Sequence, residues 1–281
     1  MPRIAVCGAT GRTGRRLVQH LISAGRDVVA VARNAAELES LDPRAERRLA
    51  QMEDGPRLKA ALADAAVVVS CVPPAFVPEL IQAVPAGLRR LVVMGSTRKF
   101  TRYDDQLARD VIAAEAALAR SGLPSVMLHP TLIYGTGEDA SLERMAAYLK
   151  RLPVLPLPGG GLVQPIHVND VVRALEAAIE MAEPPREPIV IAGPTPMSYA
   201  GMVRELARAL GIRALVVTIP LAPLLLMARL GRLLPFLPAI QSAELRRMME
   251  DKSFDIRDMR ERLGVKPMSF AEGLALGRAG S

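Results

Sequence analysis

A doubly wound parallel α/β sheet with a small, mainly helical C-terminal lobe is the fold that the sequence predicts, and three observations predict it. A glycine-spaced turn sits between a short apolar run and an amphipathic periodicity at the start of the chain. Short apolar runs then alternate with helical periodicities up to about residue 130, the order of a parallel sheet with crossover helices. Beyond that point the alternation breaks into helices and Pro/Gly-rich loops, with no Ser/Gly-rich linker and no internal repeat.

The chain opens "RIAVCGATGRTGRRLVQHLISAG". Ile4 to Cys7 read as the first strand. Gly8, Gly11 and Gly14 follow at three-residue spacing, Leu17, Val18, Leu21 and Ile22 recur at helical spacing, and Gly25 stops the helix. Gly8 permits a tight turn, Gly11 lets a pyrophosphate approach the backbone, and Gly14 lets the helix pack close to the strand. The helix N-terminus favours an anion. Gly8, Thr10, Gly11, Arg12, Thr13 and Gly14 are therefore the expected dinucleotide cradle, in the strand–turn–helix context that the motif requires.

"DVVAVAR" reads as the second strand and ends at Arg33. An acidic residue at this point would bond the ribose 2′-hydroxyl of NAD(H). Arg33 at the strand end and Arg12 in the turn instead suit a 2′-phosphate, because guanidinium forks match phosphate oxygens. The expected cofactor is NADP(H) rather than NAD(H).

"AERRLAQ" reads as a strand and "GPRLKAALAD" as a helix. "AAVVVSCVPP" is a buried strand that contains Cys71, "AFVPELIQAVPAG" a helix and "LRRLVVMGS" a strand. Asp104 to Ser121 read as one long helix closed by "SGLP", and "SVMLHP" as the next strand. Ligands of such sheets bind outside the carboxyl ends of the strands. On that rule Gly8 to Thr13, Cys71 to Pro74, Gly95 to Thr97 and His129 to Thr131 open onto one crevice. Cys71, Val72, Pro73, Ser96, His129 and Pro130 thereby join the expected cofactor-binding residues. "EPIVIAG" is a late strand, and the last ninety or so residues read as mostly helical, with Ser269 and Glu272 spaced as a capping box. The expected division is a nucleotide-binding domain, 1–130 plus about 166–192, and a capping lobe, 131–165 plus 193–281.

Composition narrows the function. The formal charge is +7 and aromatics are 3 % of the chain, with no Trp. Arginines are scattered opposite acidic residues rather than massed, and stacking aromatics are scarce, so a nucleic-acid partner is not expected. Cys7 and Cys71 sit in apolar runs with no metal-ligand spacing, so neither a metal nor a disulfide framework is expected. The N-terminal residues lack a charged n-region and a cleavage site, and the cytoplasm is the expected setting. Ile219 to Ile240 is apolar but interrupted by Arg229, Arg232 and four prolines, so it is read as an amphipathic helix of the lobe rather than a membrane contact.

"GATGRTG", "VVMGST", "HPTLIYGTG" and "PIHVNDVVRAL" resemble the extended and atypical branches of the short-chain dehydrogenase/reductase superfamily. The tail "EDKSFDIRDMRERLGVKPMSFAEGLALG" resembles the C-terminal lobe of nucleotide-sugar-epimerase-like proteins. The chain is also similar to NmrA-like proteins and to the nucleotide-binding accessory subunit of respiratory complex I. The resemblance implies a Rossmann fold, a nicotinamide cofactor and, in active members, a Tyr-x-x-x-Lys pair with a Ser at the preceding strand end. Tyr103 is followed four positions later by Leu107. The Glu that such helices carry four positions after the Lys is Glu115, which places Val111 at the Lys position and Leu107 at the Tyr position. Ser96 alone then remains of the triad, and Leu107 and Val111 are expected to face the crevice as an apolar wall. Tyr103 and Lys99 are the candidates for a relocated pair. His129, where many relatives have Arg, and Asn169, where the usual residue is Asp, depart from the epimerase pattern; His129 and His167 are the other proton carriers near the crevice.

The leading expectation is an NADP(H)-binding protein without the Tyr/Lys pair, acting as a weak reductase or as a nucleotide-dependent sensor or scaffold. The alternatives are an oxidoreductase or nucleotide-sugar epimerase/dehydratase with relocated groups, and a peripheral respiratory-chain or quinone-associated assembly factor. Substrate and oligomeric state are not legible in the sequence.

Overall fold

The computed structural model describes residues 2–137, 140–185, 187–230 and 242–279. Seven parallel strands form the central sheet: β1 (Ile4–Cys7), β2 (Val28–Ala32), β3 (Glu46–Leu49), β4 (Val67–Ser70), β5 (Arg90–Met94), β6 (Ser125–Pro130) and β7 (Ile189–Ile191). Their order is β7-β6-β5-β4-β1-β2-β3, so the chain winds outward from β1 in one direction and from β4 in the other. β1, β2 and β4 are buried along their whole length, which requires helices on both faces. β3 is an edge strand, "ERRL", whose arginines are answered by carboxylates: Arg48 pairs with Glu46 and Asp64.

One face is covered by α1 (Arg12–Ser23), whose Leu17, Val18, Leu21 and Ile22 share a core with β1 and β2. The other is covered by α3 (Gly55–Leu62), α4 (Val77–Ala83) and α5 (Gln106–Ser121), through Leu58, Leu62, Leu80, Ala114 and Leu118. Between α1 and α3 lies the short α2 (Ala35–Glu39), capped by Asn34, whose side chain accepts the amides of Ala36 and Glu37. α5 begins at Gln106 rather than Asp104, because Asp105 is the N-cap and accepts the Ala108 amide. Cys71 lies one residue beyond β4 and is partly exposed, where a strand position was expected.

After β6 come α6 (Ala140–Arg151), α7 (Val168–Glu180), α8 (Tyr199–Leu210), α9 (Leu221–Leu230), α10 (Ser242–Arg247), α11 (Arg257–Arg262) and α12 (Phe270–Ala279). α7 packs against α1, and α11 joins the same core through Met259. A separate core of Tyr134, Leu149, Leu155, Leu157, Val203 and Phe270 gathers α6, α8 and α12. The Pro-rich stretch expected to be a loop contains a strand, Val154–Pro158, paired in parallel with Leu215–Ile219. Its Pro156 and Pro158 are tolerated because the sheet has two strands and both are edges. The capping box is present: Ser269 N–H donates to Glu272 and the Glu272 amide donates to Ser269 Oγ. Of the apolar segment, Leu224 is buried against Leu245 and Met248, and Leu226 is exposed. Residues 231–240 of that segment lie outside the described residues. No helix among the described residues is long and apolar enough to cross a membrane.

Candidate functional site

The turn after β1 is a backbone cradle with no room for side chains. The amides of Gly8 and Ala9 both donate to Val31 O, at 3.0 and 3.2 Å, and Gly11 N–H donates to Gly8 O at 3.0 Å. Gly8 has φ +76°, a left-handed conformation that glycine adopts freely. A Cβ on Gly14 would lie 2.1 Å from Gly8 O, so the helix can approach the strand this closely only with glycine there. α1 starts without a side-chain cap and with no acidic residue in its first turn, which leaves its N-terminal amides for an anion. Thr13 is buried, Thr10 is half-buried, and Arg12 and Arg33 are exposed. Neither arginine makes a side-chain hydrogen bond or ion pair among the described residues. Cys71 and Val72 close the turn from below, since a Cβ on Gly8 would meet Val72 at 3.0 Å and the Cys71 backbone at 3.2 Å. Burial pushes the thiols of Cys7 and Cys71 up to about 12, which makes both inert as nucleophiles at neutral pH. Pro73 precedes a single 3₁₀ turn, Pro74–Phe76.

The ends of β5 and β6 are joined through His129. Ser96 N–H donates to His129 Nδ1 at 3.0 Å, and Thr97 Oγ1 donates to Pro130 O at 3.1 Å. Gly95 makes room for the ring, because a Cβ there would sit 2.5 Å from Nδ1. His129 Nε2 lies 2.6 Å from Glu115 Oε1, although its N–H does not point along that line and gains no straight hydrogen bond. Glu115 in turn accepts from Lys99 Nζ with both oxygens, at 2.6 and 2.7 Å. Burial lowers the His129 pKa; Glu115 partly opposes this and Lys99 adds to it, leaving it at about 4. The ring is therefore neutral at pH 7 with its proton on Nε2. Both nitrogens face protein groups, so His129 fixes the Ser96 loop rather than offering a proton to the crevice. His167 has a comparable local duty: it caps α7, its Nδ1 accepting the Asn169 amide at 3.2 Å.

Lys99 and Tyr103 are not brought together. The Lys99 ammonium is held by Glu115, Tyr103 is 41 % exposed on the loop before α5, and no hydrogen bond links them among the described residues. Leu107 is half-buried and Val111 is fully buried. Neither lines the cavity described next; the face of α5 that carries Ala108, Val111, Ala114 and Leu118 is buried.

That cavity, of about 630 Å³, begins at Ser96 and Thr131 beyond the carboxyl ends of β5 and β6. Phe100, Leu132, Ile133, Met248 and Phe254 give it apolar walls, and the Phe100 and Phe254 ring centroids are 5.4 Å apart. Its far side is charged and comes from α6, α8 and α10: Arg144, Tyr199, Glu244 and Arg247, followed by Glu250 and Lys252. Arg98 donates twice to Asp105, at 2.8 and 3.0 Å. Burial alone would raise the Asp105 carboxyl, but the Arg98 and Ala108 bonds outweigh it and hold the acid below its usual range. The Glu250 carboxylate accepts Thr101 Oγ1 and the Arg102 amide, both at 2.7 Å, tying the Ser96 loop to the C-terminal region. Sequence reasoning singled out Ser96, Thr97 and Thr131 in this cavity and missed Arg144, Tyr199, Arg247 and Lys252. Only the resemblance of the C-terminal tail pointed toward that region. No group of acidic, His or Cys side chains able to hold a metal occurs among the described residues.

Residues 8–146 match a family described as NAD(P)H-binding. The chain is 29 % identical over 277 residues to an uncharacterized protein of Mycobacterium tuberculosis, covering 96 % of this chain and 29 % of that protein. It is 27 % identical over 203 residues to NADH dehydrogenase (ubiquinone) 1 alpha subcomplex subunit 9, mitochondrial, of Arabidopsis thaliana, covering 62 % of this chain and 49 % of that one. The chain thus spans less than half the length of either relative. Among solved structures, a nucleoside-diphosphate-sugar epimerase from Pseudomonas aeruginosa superposes with TM-score 0.77 at 22 % identity over 99 % of this chain and 96 % of the other. An NADPH-dependent quinone oxidoreductase from Escherichia coli, complexed with NADPH, superposes with TM-score 0.75 at 20 % identity over 97 % and 99 %. The protein therefore carries an NAD(P)H-binding domain of Rossmann type and shares the fold of these epimerase and oxidoreductase structures.

Proposed function

We propose that the protein binds NADP(H) at the Gly8–Gly14 turn and reduces a small, apolar, electron-poor carbonyl compound of the quinone type, without a Tyr-x-x-x-Lys pair. The observation that carries this reading is the 630 Å³ cavity that starts at Ser96, beside the carboxyl ends of the strands that frame the cofactor crevice. In this reading residues 1–130 plus about 166–192 hold the cofactor, and 131–165 plus 193–281 close over the substrate. The absence of Cβ atoms at Gly8 and Gly14 and the uncapped start of α1 fit a pyrophosphate. Arg12 and Arg33, exposed and without partners among the described residues, suit a ribose 2′-phosphate. When bound, the reduced nicotinamide supplies a hydride.

The chain's own residues do the rest. Ser96 is held in place by His129 and has a hydroxyl proton to offer a substrate oxygen, because its oxygen already accepts the Arg98 amide. No acid stands at Leu107 or Val111, and His129 is neutral with both nitrogens facing protein groups. That poverty of proton donors selects the substrate. Hydride addition to an aldehyde or ketone leaves a strongly basic alkoxide that needs an acid at once. Addition to a quinone leaves an aromatic hydroquinone anion that water can protonate. A solved relative of the same fold is an NADPH-dependent quinone oxidoreductase, which supports this class. The experiment follows loss of reduced-nicotinamide absorbance with NADPH and either naphthoquinone or an aldehyde. Turnover with the quinone and little with the aldehyde is expected. Tight NADPH binding with no turnover of either would make the protein a nucleotide-dependent sensor or scaffold, and failure to bind NADPH would sink both readings.

A further inference from the structure

The charges around the cavity do not close on themselves. Arg98 is answered by Asp105, Arg144 by Glu244 at 2.6 Å, and Lys252 by Glu250 at 3.5 Å. The Asp251 carboxylate, exposed at the margin, accepts from Ser253 N–H and Oγ–H at 2.9 and 2.7 Å. Arg247 is different. Its guanidinium lines the cavity half-buried and makes no hydrogen bond or ion pair among the described residues. The hydroxyl of Tyr199, also on the cavity wall, likewise has no hydrogen-bond partner among them. The two are neighbours in electrostatic terms, since Arg247 opposes the rise that burial and Glu244 impose on the Tyr199 pKa. The donors of both reach solvent inside the cavity, so they are free to bond an incoming acceptor, and an anion that replaces water there gains charge-assisted hydrogen bonds.

We propose that Arg247 and Tyr199 form a clamp for a single anionic group, carboxylate or phosphate, on an apolar substrate whose body lies against Phe100, Phe254, Leu132 and Met248. The guanidinium fork offers two parallel N–H donors and the phenol a third, which matches the oxygens of either anion. No residue of the Gly8–Gly14 turn lines this cavity, so we assign its specificity to the substrate rather than the cofactor. About 630 Å³ holds a molecule of two or three fused rings together with its anionic group. The inference rests on the reading that this cavity takes the small molecule, and on no assumption about hydride transfer.

The test is calorimetric titration of NADPH-saturated protein, in which the cofactor turn is already filled, with naphthoate, naphthyl phosphate and the neutral naphthamide. At least one anion is expected to bind about tenfold tighter than the amide; which one identifies the group. Arg247→Gln should abolish that preference while NADPH affinity and thermal midpoint stay at wild-type values. Arg247→Lys should retain part of it, and Tyr199→Phe should weaken the anion about threefold. Equal binding of amide and anions, no measurable binding of either anion, or an undiminished preference in Arg247→Gln would each overturn the clamp. Anion binding without turnover would sink the reductase reading and leave the clamp standing.

Discussion

The two sides of the crevice are built from different materials. The turn after β1 is made of backbone: amides, carbonyls and three glycines within seven residues of chain. The cavity beyond Ser96 is made of side chains from segments as far apart as Thr101 and Glu250, 149 positions by sequence. A backbone site tolerates no added atom but little cares which side chains surround it. A side-chain site tolerates changes of size but changes ligand with every change of charge. The first fits a ligand common to many folds of this type, the second one particular to this chain.

Four experiments would break or sharpen that contrast. The largest effect is expected for Gly14→Ala. The new methyl would stand 2.1 Å from the Gly8 carbonyl oxygen, against backbone that cannot yield. A loss of about 3 kcal/mol in chemical denaturation, with NADPH binding abolished, is expected from such overpacking; a stable variant that binds normally would show that the turn is not backbone-limited.

Next comes the acid limb of stability. His129 is held near 4 in the folded chain, against about 6.5 for a free imidazole. The unfolded chain therefore takes up a proton first as pH falls. Stability due to the neutral ring is complete above pH 6.5 or so and is lost as pH drops toward 4, by up to about 3 kcal/mol. Urea titrations of wild type and His129→Asn at pH 7 and pH 4.5 check this. The wild-type advantage should shrink at the lower pH, and an unchanged gap would refute the sign.

Arg33→Ala follows, with an expected loss of about 2 kcal/mol in NADPH affinity by calorimetry and NADH affinity nearly unchanged. Equal losses for both cofactors would remove Arg33 from the 2′-phosphate. The smallest effect is expected for Tyr103→Phe, whose phenol is exposed and makes no hydrogen bond among the described residues. Quinone turnover should stay within about threefold, under 1 kcal/mol. A hundredfold loss would make Tyr103 the missing acid and revive the relocated-pair reading.

The contrast also explains what was legible in the sequence. Gly8, Gly11 and Gly14 announce the turn because local sterics demand glycine at a fixed spacing, and spacing is what a sequence displays. The sheet was legible for the same reason: β1, β2 and β4 are apolar runs buried on both faces. Arg12 and Arg33 stand where the strand and turn ends put them. The helix register taken from Glu115 put Leu107 and Val111 at the Tyr and Lys positions, and spacing alone did not show what Glu115 itself binds. Glu115 binds the Lys99 ammonium and lies beside His129, and Val111, one turn earlier, is fully buried. The strand Val154–Pro158 was hidden by its prolines, which usually mark loops and here occupy an edge. Arg247 and Tyr199 were hidden altogether. Their meaning lies in a partner neither has, and no periodicity records an absence.

Glu250 closes the circuit between the two materials. Its carboxylate is only 8 % exposed and holds both the Thr101 hydroxyl and the Arg102 amide, one turn beyond Ser96. The loop after Ser96 and the segment that follows the helix carrying Arg247 are thus joined through one carboxylate, and coupled local opening is the expected consequence. An occupant of the cavity would slow amide exchange in 97–102 and in 247–254 by the same factor, although Thr101 and Glu250 are 149 positions apart in sequence. Removing the acceptor, as in Glu250→Ala, would let each stretch exchange at its own rate, and the protein would then read its substrate without the loop after Ser96 hearing of it.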